Sequence, residues 1–361
     1  VNALRLLAGP CARARIARDG LSAAAVAGVA AAAGGPKGLA FLPLDRWLFG
    51  EWLAASPRPR LLAGASIGAW RMAAAVHPDG TAATARLGEA YLELQRYPLR
   101  PSTGQVSATC RAVVSAMLGD PDRFVAGAHR GHALAAIAAR GRGALARLTG
   151  RLAFARPAGA NLAARRRLGA HLQRVVFGLS PSGGPAPVWP DDGFDTCEVP
   201  LTADNVLDAL LASGTLPLLA DPVRDPVGAP TGLYWDGGLV DYHLHLRWDR
   251  LDGLLLYPHF TPWLTPGWLD KALPWRRRGL RGAGHWLDDT LLLVPSAALL
   301  ARLPGARLPE RTDFHRHGRD HDTRLRDWRR AIAECEAMVE DLASFVRRPD
   351  PARLEPLAGA R

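Results

Sequence analysis

A serine set between glycines, Gly64-Ala65-Ser66-Ile67-Gly68, is the first group in this chain that could do covalent chemistry. It has company. Gly34-Gly35-Pro36-Lys37-Gly38 precedes it, and Asp236-Gly237-Gly238 follows far downstream. A serine hydroxyl is a poor nucleophile until a neighbouring base takes its proton, and a carboxylate can be that base. Attack on an ester carbonyl builds negative charge on oxygen, which fixed backbone N–H donors stabilise. Glycines let the backbone approach that oxygen closely and adopt φ > 0 without steric cost. The three motifs thus read as an oxyanion loop (Gly34, Gly35, Lys37, Gly38), a nucleophile (Ser66, supported by Gly64 and Gly68) and a base (Asp236, supported by Gly237 and Gly238). Pro36 has no N–H, so any loop donors come from its neighbours.

The elements that must hold these groups are legible around them. Ala23–Ala33 reads as a buried strand, and a helical segment from about Lys37 to Leu53 follows the first loop. Leu61-Leu62-Ala63 is a second apolar run, and Ile67–Val76 reads as the helix after Ser66. Strand, sharp glycine turn and helix is the setting that exposes a nucleophile at a helix N-terminus, where the dipole favours negative charge. Further on, Thr81–Arg96, Val106–Leu118 and His132–Leu148 look helical. Leu172–Leu179 and Thr196–Val199 look like strands joined by the Pro181–Gly193 loop. Ala203–Ser213 reads as a helix, and Gly232–Trp235 as the strand that delivers Asp236. Leu254–Tyr257 and Leu291–Val294 suggest two more strands. This alternation predicts an α/β fold: a mostly parallel central sheet flanked by helices, with the reacting groups at the strands' C-terminal ends. At the C-terminus, Leu325, Trp328, Ile332, Cys335, Val339, Leu342 and Val346 make one apolar stripe, which predicts a single helix over about 322–346. It would seal the sheet or, alternatively, form an oligomer seam.

These motifs, in this order, resemble the patatin-like phospholipase family, in which a glycine-rich oxyanion loop accompanies a G-x-S-x-G serine and a D-G-G or D-G-A aspartate. The resemblance covers residues 22–245, leaving 246–361 as a C-terminal extension of the same globular unit. It implies hydrolysis of acyl esters by a Ser66–Asp236 dyad, with neither a catalytic histidine nor a cofactor. Ala212-Ser213-Gly214-Thr215-Leu216-Pro217 is similar to the family's A-S-x-x-x-P block, which supports the active site. Two positions depart from the pattern. Ala33 stands at the first loop glycine, and Ile67 follows the serine where a small residue is commoner.

Other readings of the same residues were open. A serine in such a turn can simply cap a helix, and Asp before two glycines can simply form a turn. Gly34–Gly38 lacks the spacing and hydroxyl of a P-loop, and no G-x-G-x-x-G is present there. Acyl transfer on the same fold is an alternative, weakened because Ala65, not His, precedes Ser66. A non-hydrolytic lipid- or protein-binding module is the rival from another class.

The chain has 361 residues, 48% of them hydrophobic and 22% charged, as in ordinary globular proteins. Its net charge of +11 comes almost wholly from arginine, Lys37 and Lys271 being the only lysines. The basic residues are dispersed, so no nucleic-acid module is expected. Cys11, Cys110, Cys197 and Cys335 lie far apart, which suggests free thiols and a cytoplasmic location. No run is long enough for a membrane span, and no signal peptide is apparent. The expected partner is a lipid or acyl-ester substrate. Within Tyr257–Trp286, Trp263, Trp268, Trp275 and Trp286 accompany Arg276, Arg277, Arg278 and Arg281, which allows peripheral membrane contact. The alternative is a loop whose aromatics pack on the core. His243-Leu244-His245 and the group His315, His317, Asp320, His321 and Asp322 lack a recognised zinc spacing, and no metal is expected. His243 could orient Asp236 or complete a triad.

Overall fold

In the computed structural model, which describes residues 2–127, 131–180, 188–278 and 285–357, the apolar runs form one mixed, mostly parallel sheet of 11 strands. The strands are β1 (Leu4–Ala8), β2 (Val26–Ala31), β3 (Leu61–Ala65), β4 (Ala133–Gly141), β5 (Leu172–Leu179) and β6 (Thr196–Pro200). Then come β7 (Val223–Arg224), β8 (Leu233–Asp236), β9 (Leu254–Pro258), β10 (Thr290–Pro295) and β11 (Leu354–Pro356). The main path runs β11-β1-β10-β9-β2-β3-β4-β5-β6, and β8 pairs with β4 and β7. Helices cover both faces. Val29, Ala31 and Leu62 point to a core shared with Trp70, Met72, Leu87 and Trp328, whereas Ala30, Ala63 and Ala65 face Trp235, Leu239 and Trp248. Burial on both faces is why the central strands are near-continuous apolar runs rather than alternating ones.

β9 and β10 come from the segment after residue 245, yet β9 pairs directly with β2. The C-terminal extension therefore completes the sheet from which the Gly34–Gly38 loop emerges. The N-terminal strand β1, which the sequence reading did not single out, pairs antiparallel with β10.

Three expectations need correction. His132–Leu148 is not a helix: Ala133–Gly141 is the strand β4, buried between β3, β5 and β8. Its alanines favour a helix in isolation, but small side chains also fit a crowded sheet interior, and tertiary context overrides the weak propensity. The first strand is shorter than expected, because Ala23–Ala25 is a 3₁₀ turn. The terminal helix is two, His321–Glu334 and Glu336–Arg347, meeting at Cys335. Beyond the break the buried positions are Met338, Leu342 and Phe345, while Val339 and Val346 are only half-buried. Within Pro181–Gly193, residues 181–187 lie outside the described residues, as does Arg281. Among the described residues, no helix is long and apolar enough to cross a membrane.

Candidate active site

Ser66 and Asp236 are brought together by one strand. β3 and β8 lie end to end along the same edge of β4, β3 parallel to it and β8 antiparallel. The last residue of β3, Ala65, pairs with Ile137, and the last residue of β8, Asp236, pairs with the next position, Ala138. Two chain segments far apart in sequence thus end within one residue step of each other, about 3.8 Å along β4. Ser213 locks the junction. Its hydroxyl donates to Ile137 O at 2.6 Å and accepts from Ser66 N at 3.0 Å, and its carbonyl accepts from Gly237 N at 3.1 Å. Asp236 N donates to Thr215 O at 2.8 Å. The Ala212–Pro217 block therefore joins the serine turn to the aspartate turn.

Ser66 has φ 58° and ψ −131°, a conformation L-residues rarely adopt, and it opens the fully buried helix Ile67–Val76. Such a residue persists only where its surroundings over-determine it, at a cost of about 1–3 kcal/mol. The surroundings here are backbone. A Cβ on Gly68 would lie 1.9 Å from Ala31 O, and one on Gly64 would lie 2.4 Å from Gly68 C. The helix is pinned by a buried two-bonded pair in which Arg71 donates to Asp45 at 2.7 and 2.8 Å. The first helical amides, those of Ile67 and Gly68, have no acceptor within the helix and stand beside the serine. The sequence reading did not count Ile67 as a donor.

Asp236 is buried. One oxygen accepts from Gly238 N at 2.6 Å, and the other is buried without a hydrogen-bond partner. Burial raises its pKa to about 6; the Ser66 hydroxyl, the Gly238 amide and the Arg311 guanidinium oppose that rise. The serine hydroxyl is thus close enough to favour the charged carboxylate, without the geometry of a formed hydrogen bond. A carboxylate with an unused lone pair and a pKa close to neutrality has the protonation behaviour of a general base.

The loop opposite begins at Gly34 and turns through Gly35, φ +56°, into a 3₁₀ helix, Gly35–Phe41. Its first amides, like those after Ser66, lack in-helix acceptors. A Cβ on Gly34 would meet Phe260 at 2.7 Å, and one on Gly38 would meet Ile67 at 2.7 Å. Ile67, one of the two departures, thus packs on the loop and requires glycine at 38. Ala33, the other, donates from its N–H to Tyr242 O at 3.0 Å and has no positive φ, so the position does not demand glycine. The Lys37 ammonium sits over the Phe260 ring, 5.0 Å from its centroid.

Two cavities meet at Ser66. The larger, about 310 Å³, is mostly apolar and lined by Trp70, Tyr91, Leu99, Val113, Leu216 and Phe314 among others. The smaller, about 140 Å³, holds Asp236 and is lined by Lys37, Lys271, Glu310 and Arg311. Among the described residues, no histidine lines this smaller chamber. His243 is buried; its Nδ1 accepts from Thr265 N at 2.9 Å, and its ring packs between Tyr242 and His259. Burial holds it neutral, far below its usual pKa. Phe314, Arg311 and Arg324 come from the C-terminal segment, which sequence reasoning had not connected to the site, since no spacing links it to the motifs.

The remaining tryptophans divide: Trp263 and Trp275 are exposed, and Trp268 and Trp286 are half-buried against the second core face. Among the described residues, no three His, Cys, Asp or Glu side chains gather as metal ligands would. Compared with known proteins, the chain matches no family model and no curated sequence.

Proposed function

We propose that this protein is a serine acyl hydrolase of the patatin-like kind, acting on carboxylic esters of lipids. In the first step the unpartnered oxygen of Asp236 takes the Ser66 proton as Ser66 Oγ attacks the ester carbonyl. The carbonyl oxygen becomes an oxyanion facing the first amides of the Gly34–Gly38 loop and of the Ile67–Val76 helix. The tetrahedral adduct collapses, its C–O bond breaks, and the Asp236 proton leaves with the alcohol. Water then loses a proton to the same carboxylate, attacks the acyl-serine and frees the acid, returning Ser66 to its hydroxyl form.

The observation that carries this reading is a serine in a strained strand–helix turn beside a buried carboxylate with one unused oxygen. The apolar cavity supports an acyl chain as the group attached to the carbonyl. The order of the motifs and the bridging role of Ser213 support placing the chain with the patatin-like phospholipases. A p-nitrophenyl ester chain-length series on wild type and Ser66→Ala tests it. Turnover in wild type should be lost by about 10⁴-fold or more in a folded Ser66→Ala protein. Full turnover in that variant would remove Ser66 from the chemistry.

A further inference from the structure

Acidic residues are missing from one long stretch of this chain. Between Asp122 and Asp191 the sequence holds no Asp or Glu, while arginines continue through it. The helix Arg151–Ala163 lies within that stretch and is two-faced. Ala153, Pro157 and Asn161 are buried at four-residue spacing, and Phe154 packs edge-on against Trp235, with ring centroids 5.4 Å apart. The opposite face carries Leu152, which is 90% exposed, and Leu162, which is 59% exposed. These two leucines stand about 15 Å apart along the helix axis. Leu148, just before the helix, is exposed as well. The same segment presents Arg147, Arg151, Arg156, Arg166 and Arg167 to solvent. Among the described residues none of these five forms an ion pair or a side-chain hydrogen bond.

A second segment is fastened to this face. The buried Asp270 accepts from Asn161 Nδ2 at 2.8 Å and Arg165 Nη1 at 3.1 Å on one side, and from Arg276 Nη1 at 2.7 Å on the other. Arg276 also donates from Nη2 to Leu162 O at 3.2 Å. The turn Pro274–Arg278, and with it the exposed Trp275, is thereby held at the end of the helix that carries Leu162. Trp268 and Lys271, from the turn that contains Asp270, line the Asp236 chamber. One short segment thus braces the helix and walls the chamber.

Single exposed leucines are ordinary on protein surfaces. Three of them with a tryptophan, among cations that the protein leaves without counter-charges, mark an interaction surface. Apolar side chains can enter the acyl boundary of a bilayer, a tryptophan ring settles at headgroup depth, and arginines meet anionic headgroups. A nucleic acid would engage the arginines but would give Leu152 nothing to bury against. We propose that the helix Arg151–Ala163, with Leu148 and Trp275, docks on an anionic lipid bilayer, its leucines inserted and its arginines against the headgroups. This stands apart from the hydrolase reading, because no residue of the face lines either cavity at Ser66.

The test is flotation with vesicles of ether-linked lipid, which contain no ester to cleave. At low ionic strength, wild type should float with mixed phosphatidylglycerol–phosphatidylcholine vesicles and stay behind with phosphatidylcholine alone. Leu152→Ser should weaken binding to the mixed vesicles by about tenfold, and Arg151→Gln combined with Arg156→Gln by about tenfold or more. All three positions are exposed, and an unchanged melting temperature confirms the fold. No binding to the anionic vesicles, or binding that neither variant weakens, overturns the proposal. Loss in the arginine variant with none in Leu152→Ser would mean attraction without insertion, which also contradicts it. A short DNA duplex is the second arm: if wild type binds the duplex through these arginines and leaves the vesicles alone, the face serves nucleic acid and the bilayer proposal fails.

Discussion

The turn that carries Ser66 and the loop that faces it are both glycine-rich, but their glycines answer to different constraints. In the turn, an added Cβ would strike backbone: Ala31 O at 1.9 Å from Gly68, and Gly68 C at 2.4 Å from Gly64. Backbone of a buried strand and a fully buried helix cannot give way. In the loop, Gly34 and Gly38 face side chains, and Gly35 has nothing nearer than the Tyr91 hydroxyl at 3.9 Å; only its φ of +56° asks for glycine. The turn is therefore closed by packing, and the loop is left open on the side where a carbonyl would enter. Glycine in the first place fixes the strained Ser66 turn; in the second it leaves open space beside the loop.

This difference can be broken by substitution. Gly68→Ala should act on folding, destabilising by about 3 kcal/mol or more because the clash is with backbone. It should be read as a lower denaturant midpoint or melting temperature. Gly35→Val should act chiefly on turnover, lowering kcat by about 10²-fold with a smaller change in KM, since loop donors count most when charge develops on the carbonyl oxygen. Its stability loss should be limited to backbone strain of about 1–2 kcal/mol. If Gly35→Val instead raises KM and spares kcat, the loop only binds ground-state substrate.

A pH profile sharpens the comparison at the base. Asp236 must be ionised to take a proton, and burial has raised its pKa to about 6. Activity should be full above that value and fall about tenfold per unit as pH drops below it. A profile flat down to the ordinary aspartate range would mean that the titrating group is not the buried Asp236 carboxylate.

The smallest effect is expected at His243. It is buried and neutral, its Nδ1 is occupied by Thr265 N, and it lines neither cavity. His243→Ala should retain activity within about tenfold of wild type, whereas loss of a triad base costs several orders of magnitude. A collapse of turnover in a variant with unchanged circular dichroism would require a histidine-assisted mechanism.

The parts legible in the sequence were those governed by local rules. Leu61-Leu62-Ala63, the glycine turn and the Ile67–Val76 helix follow from apolar runs and glycine placement, and the structure has that helix at those residues. The alanines of β4 carry no such signal, because their strand conformation is imposed by three neighbouring strands. The junction between Ala65 and Asp236 on β4 was hidden for the same reason. Cys335 ends a helix inside an unbroken apolar stripe, so the break leaves no mark in the spacing. Arg311 and Phe314 reach the site through the packing of the C-terminal segment, and only the buried Asp313, which accepts from Glu310 N and Trp328 Nε1, shows how.

The central claim is that Asp236 activates Ser66 for attack. The most direct measurement is the rate at which a fluorophosphonate probe labels Ser66 in wild type and Asp236→Asn, both confirmed folded, with the labelled residue located by peptide mass spectrometry. Wild type should label at Ser66 and lose the reaction as pH falls through about 6. Asp236→Asn should label slower by about 10³-fold or more above pH 7, with the gap narrowing as wild type loses its base below about pH 6. Equal labelling rates in the two proteins, or labelling at a residue other than Ser66, would contradict the assignment.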